Sequence, residues 1–223
     1  MKVFHILDRA GRLLSDPTHV RWAEDELVDY INDAQKQIVL LRPDANSRNE
    51  SFKLASGSKQ VIPTGGLQLL RITRNMGSDG KEPGRVIYPT LRSALDAETP
   101  DWHTRQGAAV QHYIYDPQVD RKVFYVYPSV SGSWHVEISY SSTPQDVPIG
   151  NKDADLELND QYINPIIDWV LYRCWAKDAE YAGNLQRAQM HEQSFYQQLG
   201  IKAESSAMVN PTRRVRNSEV ELR

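Results

Sequence analysis

Cysteine is almost absent from this chain: Cys174 is the only one in 223 residues. That excludes a disulfide framework and a cysteine-built zinc site, and makes a reducing compartment the expected setting. Long apolar runs are missing too. The longest, such as Ile38 to Leu41, fall far short of the roughly twenty residues a membrane-spanning helix needs. Met1-Lys2-Val3-Phe4-His5 leads into no apolar stretch with a small-residue cleavage site, so no signal peptide is expected. Glycine and proline, 12 each, are near average usage, which rules out collagen-like and low-complexity classes. There is no basic excess either. Lys and Arg number 26 against 29 Asp and Glu, a formal charge of −3, whereas a duplex-DNA binder needs a basic surface. With 40% apolar residues, the length suits one compact domain or two small halves sharing a core.

Catalytic signatures are lacking as well. There is no GxSxG, HExxH, P-loop or GxGxxG. Thr64-Gly65-Gly66 has no following GK[ST], so it carries no phosphate-site reading. The histidines, His5, His19, His103, His112, His135 and His191, never fall at ligand spacing on one helix. His112 and His135 sit in alternating strands, where a solvent-facing or partner-bonded ring is expected. Asp153, Asp155, Glu157 and Asp160 resemble a calcium loop only loosely, because no glycine follows at the sharp turn. An acidic lead-in to a helix N-terminus explains them through the helix dipole alone. Cys174, between Leu171 and Trp175 on an apolar stripe, reads as a buried structural thiol. No catalytic, metal or cofactor residue is therefore expected.

Hydrophobic periodicity divides the chain. Val3, Phe4, Ile6, Leu7, Ala10, Leu13 and Leu14 recur at helical steps, and Asp16-Pro17 stops them. A second helix is expected from Ala23 to Arg42, with Leu27, Tyr30, Ile31, Ala34, Ile38 and Leu41 inward and Pro43 as its stop. From about Ser51 to Pro148 the pattern has period two. Ser56-Gly57-Ser58 reads as a hairpin turn. Strands are expected at Leu69–Arg74, Arg85–Tyr88, Val110–Tyr115, Lys122–Tyr127 and Trp134–Tyr140, with one helical turn at Leu91–Leu95. Helical spacing returns at Ile163–Asp178, with Asn164-Pro165 as its best start. It continues at Leu185–Leu199, capped by Asn184 and closed by Gly200. Residues 203–223 hold few large apolar groups and read as a tail, disordered alone or ordered on a partner.

The expected fold class is α+β. About four helices from both chain ends, residues 1–50 and 151–202, form a bundle. An antiparallel β-rich insertion spans 51–150, and an extended C-terminal arm spans 203–223. Two features of this plan point outward. Tyr113, Tyr115, Phe124, Tyr125, Tyr127, Trp134 and Tyr140 crowd three strands read as adjacent. Alternation sends about half of them to each sheet face. The second half either contacts a partner or lies under a two-sided core. In the tail, Arg213, Arg214 and Arg216, with Val209, Pro211 and Val215 as apolar pegs, form either a solvated end or a segment that docks on a partner.

Several stretches carry a resemblance. Arg21-Trp22-Ala23-Glu24-Asp25-Glu26-Leu27, Tyr30-Ile31-Asn32-Asp33-Ala34-Gln35 and Leu41-Arg42-Pro43-Asp44-Ala45 begin it. Leu69 to Asn75, Tyr113 to Pro117, Val123 to Pro128, and Leu171-Tyr172-Arg173 through Asn184 continue it. In order and spacing these resemble the head–tail adaptor (connector) proteins of short-tailed phages, the tail tubular protein A-like family. The resemblance implies a structural virion protein of the neck. It would be a homo-oligomeric ring of about twelve copies that docks on the portal and connects it to the tail tube or nozzle. DNA would pass through the lumen without being read. The resemblance also implies no membrane contact, no cofactor, and assembly in the host bacterial cytoplasm. It assigns portal contact to the arm (Val209, Pro211, Arg213, Arg214, Val215, Arg216) and tail contact to the strand aromatics (Tyr113, Tyr115, Tyr125, Tyr127, Trp134). At −3 per chain, a ring of about twelve sums to about −36, and a negative lumen would repel phosphates. The competing reading is a virion-associated cell-wall hydrolase, which needs a carboxylate pair across a cleft. The run from Asp153 to Asp160 is the only dense candidate for that.

Overall fold

The computed structural model describes residues 1–130, 132–180 and 182–209. It is a mixed α+β protein whose chain forms two compact units. One joins Met1–Arg42 to the chain from Pro144 onward; the other is Pro43–Thr143.

The helical unit starts with α1 (Val3–Leu13) and α2 (Glu24–Leu41), and resumes with α4 (Ile163–Lys177) and α5 (Ala182–Val209). The predicted stripes are the buried ones: Ile6, Leu7 and Ala10 on α1, Leu27, Ile31 and Ile38 on α2, Ile166, Val170 and Cys174 on α4. Between α1 and α2 the chain folds back tightly. Asp16 organises this turn: its carboxylate accepts the backbone N–H groups of Val20 at 3.0 Å and of Arg21 and Trp22 at 2.9 Å. Gly11 is needed here, because a Cβ would stand 2.9 Å from the His19 ring and 3.0 Å from the Asp16 carbonyl oxygen. α4 packs against α5, α2 and α1. Arg173 reaches Asp33 at 2.9 Å and Lys177 reaches Glu26 at 2.6 Å, pairing α4 with α2.

Three helix ends differ from the predicted ones. A short 3₁₀ turn at Asp160–Tyr162 runs straight into α4, so the helix begins at Ile163, one residue before Asn164. Asn164 instead accepts a hydrogen bond from Arg9 at 3.3 Å. α5 begins at Ala182, two residues before Asn184, which donates to the Asp178 carbonyl at 3.2 Å and its carboxylate at 2.8 Å, bracing the turn. Gly200 does not close α5. The helix continues to Val209, where the sequence predicts an extended arm from residue 203. A single glycine in a helix costs only about 1 kcal/mol and does not have to end it.

The second unit holds two sheets. β1 (Ser47–Lys53), β7 (His135–Ser142) and β3 (Gly66–Asn75) form an antiparallel sheet with β7 central. β2 (Gly57–Val61), β6 (Val123–Val130), β5 (His112–Ile114) and β4 (Tyr88–Pro89) form the other, antiparallel except for the parallel β4–β5 pair. Strand structure thus begins at Ser47, four residues before the predicted start. The β5–β6 hairpin is present, with His112 opposite Tyr127. The predicted hairpin at Ser56-Gly57-Ser58 is not: β1 pairs with β7 and β2 with β6, so this turn crosses between sheets. Gln60, 1% exposed, explains the crossing. Its amide donates to the carbonyls of Ala55 and Gly57 and accepts the Ala55 N–H, taking up the groups a hairpin ladder would pair. The strands at 122–127 and 134–140 are likewise not neighbours; β6 and β7 lie in different sheets. The main core between the sheets includes Leu54, Ile72, Phe124, Val126, Val136 and Ile138. The turn predicted at Leu91–Leu95 is a helix, α3 (Arg92–Glu98), over a smaller core of Leu95, Trp102 and Ile114.

Candidate functional site

The strand aromatics are committed to these cores. Tyr113 is buried with Phe124 and Val126, and Tyr115 and Trp134 pack half-buried against the same cluster. Tyr125 and Tyr127 lie half-buried against Leu95, Trp102 and Ile114. Trp102 meets Tyr125 edge-on at 6.0 Å, and the Arg92 guanidinium sits 5.6 Å over the Tyr125 ring. The second sheet face, expected either to meet a partner or to be covered, is covered by α3 and Trp102. Of the tail residues, Val209 is the last residue of α5; Pro211, Arg213, Arg214, Val215 and Arg216 lie outside the described residues.

The acidic run is solvated. Asp153, Asp155, Glu157 and Asp160 are exposed, while the intervening Leu156 and Leu158 are buried at 6% and 1% exposure. Alternation therefore anchors the segment by its leucines and leaves its carboxylates at the surface, where Asp155 and Asp160 pair with the Met1 ammonium at 3.5 and 3.3 Å and Glu157 accepts the Gln145 N–H at 3.3 Å. Among the described residues no group of three His, Cys, Asp or Glu could hold a metal ion. Burial pushes the Cys174 thiol up to about 12, so it is no thiolate nucleophile at neutral pH.

One cluster escaped the sequence reading. Asp168 on α4 receives three donors from α5: His191 Nδ1 at 2.9 Å, Ser194 Oγ at 2.7 Å, and Gln198 Nε2. No periodicity announces it, because its members lie 23 to 30 residues apart on two helices. An Asp, a His and a Ser together invite a nucleophile reading. The order is wrong for that: the hydroxyl donates to the carboxylate, and a serine nucleophile has to give its proton to the imidazole. The cluster is a polar staple joining α4 to α5.

An open cavity of about 280 Å³ lies in the β-rich unit, lined by residues including Lys59, Arg92, Asp116, Asp120 and Tyr125. Its carboxylates hold turns. Asp116 accepts the Gln118 N–H at 3.0 Å, and Asp120 the Lys122 N–H at 2.8 Å. Neither is aimed at a nucleophile.

Two of the structural carboxylates set an acid response. Burial opposes charge on Asp168, but its hydrogen bonds from His191, Ser194 and Gln198 outweigh this and hold it below the ordinary 3.8. The backbone N–H of Trp22, assisted by those of Val20 and Arg21, holds Asp16 below the same value. Both groups therefore stabilise the fold at neutral pH, and the contribution fades as pH falls below about 4. Melting temperature is expected to drop between pH 7 and pH 3. Asp168→Asn should melt lower than the parent at pH 7 and show a smaller acid drop. A melting temperature flat over that range in the parent would contradict this.

The fold and its polar clusters define a structural class: a protein whose titratable groups hold helices and turns together. The chain belongs to the SU10 adaptor protein family, whose model matches residues 1–216 of its 223. This is a phage head–tail adaptor family of structural proteins, in agreement with the resemblance seen in the sequence. No curated protein matches the chain. Membership makes it a virion component that interacts with other virion proteins such as portal and tail. No helix among the described residues is long and apolar enough to cross a membrane.

Proposed function

We propose that this protein forms a ring of about twelve copies that docks on the portal and connects it to the tail tube or nozzle, with DNA passing through the lumen. The family match over nearly the whole chain carries this reading. The length of α5 supports it. At 1.5 Å per residue the 15 residues of α4 span about 22 Å and the 28 of α5 about 42 Å. The last turns of α5 run on beyond the length α4 can pair, toward the segment holding Pro211, Arg213, Arg214, Val215 and Arg216. That end is the portal contact. The β-rich unit faces the tail, and the ring edges that Tyr115, Tyr125, Tyr127 and Trp134 leave uncovered by their cores are its contacts with the next protein. Assembly takes place in the host bacterial cytoplasm.

Mass photometry of the full chain with purified portal tests the reading. The expected result is a shift of the portal peak by a whole ring of adaptor mass, with the adaptor monomeric when alone. Portal mass that stays unchanged at saturating adaptor would defeat it.

A further inference from the structure

The ring reading leaves open which faces of neighbouring copies meet. Residues 1–42 and 144–223 carry 15 Lys and Arg against 19 Asp and Glu, a net −4. Copies of so acidic a unit cannot approach through two acidic faces without repulsion. One helix face is poor in acid, with the half-buried Glu192 at its edge. Between Gly183 and Gly200 the exposed residues of α5 include no Asp, Glu or Lys, and Arg187 is their only charge. Gln186, Gln189, Gln193 and Tyr196 fall on one stripe at three- and four-residue steps, beside Met190, which is 57% exposed. An open groove of about 590 Å³ runs along this stripe from Gly183 to Gln193. Arg, Met and Tyr without Lys or an exposed carboxylate is the composition of interface cores rather than of solvated helix faces.

The complementary face lies on α2. Asp25 and Asp29, one turn apart, are exposed on it. α2 and α5 each pack on α4. Salt bridges tie α4 to α2 and the Asp168 staple ties it to α5. The two stripes are therefore different surfaces of one helical unit. A contact between two different surfaces propagates from copy to copy, and closes into a ring when the rotation allows.

We propose that the acid-poor stripe of α5 in one copy packs against the Asp25–Asp29 stripe of α2 in the next copy, with Arg187 as its cation. Arg187 is already held 4.9 Å over the Trp175 ring, so little side-chain freedom remains to be lost on contact. This assignment rests on the ring reading and names its subunit interface.

The test uses the full chain on purified portal. Arg187→Glu alone, and Asp25→Lys with Asp29→Lys, are each expected to raise the concentration needed for ring formation at least tenfold. An equimolar mixture of the two variants should rescue ring formation in part, since copies alternating around an even-numbered ring make only opposite-charge junctions. The three substitutions combined in one chain should restore ring formation to within about threefold of the parent. A second measurement does not depend on charge. A chain with both Asp29→Cys and Met190→Cys, oxidised on the portal, should give a ladder of disulfide-linked multimers, and each single variant should give none. Rings that form as well with Arg187→Glu, or rings that form without any ladder, would overturn the interface while leaving the ring intact. A parent chain that forms no ring on portal overturns the ring and this interface together.

Discussion

A chain stopped after Lys202 is expected to fold as a monomer and to lose at least a hundredfold of its affinity for the portal ring. The stability half of this follows from burial. Among the described α5 side chains the buried ones are Ala188, Phe195 and Leu199, and all of them remain in the shortened chain. So does the Asp168 staple, whose most C-terminal member is Gln198. The binding half follows from what is removed: the final turns of α5 and the four arginines at 213, 214, 216 and 223. A hundredfold is about 2.7 kcal/mol, the worth of two or three charge-assisted contacts. Titrating portal with both chains by mass photometry, alongside a thermal melt, separates the outcomes. Equal portal occupancy would move the contact to another face of the protein. A lowered melt would mean the removed turns belong to the core.

The largest loss of stability is expected at Asn75. This side chain, 2% exposed, ends β3 and makes four hydrogen bonds. Its amide donates to the carbonyls of Arg85 at 2.9 Å and Val110 at 2.8 Å. Its oxygen accepts the Val110 N–H at 3.0 Å and the Trp134 indole N–H at 2.8 Å. Three distant segments are thus joined through one buried amide. The Arg85 carbonyl keeps the backbone N–H of residue 75, but Asn75→Ala strips the Val110 N–H and carbonyl and the Trp134 indole of this partner at about 1–3 kcal/mol each, so a loss of about 3–5 kcal/mol is expected after partial rearrangement. Asn75→Asp should be no better, because a carboxylate would face two carbonyl oxygens. Urea unfolding followed by tryptophan fluorescence measures both, and Trp134 reports on the site directly. A change under 1 kcal/mol in Asn75→Ala would show that water takes over the amide's role.

The helices were legible because their signal is local. Leu27, Ile31, Ala34 and Ile38 announce the buried side of α2 by spacing alone, and Pro43 its end. The β5–β6 hairpin was legible for the same reason, since its two strands are close in sequence. The partition of strands into two sheets was not, because β7 pairs with strands more than sixty residues away. Buried amides fix the chain around those strands: Asn46 donates to the Ser142 carbonyl, Gln60 closes its own turn, and Asn75 joins three segments. Asparagine and glutamine in a sequence read as turn or surface residues, and nothing in their spacing marks them as buried. The Asp168 staple was hidden similarly: a carboxylate on one helix and its donors on another have no common period. The family resemblance survived these errors because it rested on order and spacing along the chain rather than on pairing.

The division of the helical unit between the two ends of the chain bears on biosynthesis. α2 ends at Leu41 and α4 begins at Ile163, so the partner that covers the α2 apolar stripe is translated some 120 residues later. At roughly 5–20 residues per second, the first two helices leave the ribosome about 6–25 s before α4 does. During that interval Leu27, Ile31 and Ile38 have only α1 to shelter them, and the nascent chain presents an attractive surface to holdase chaperones and to other nascent copies on the same polysome.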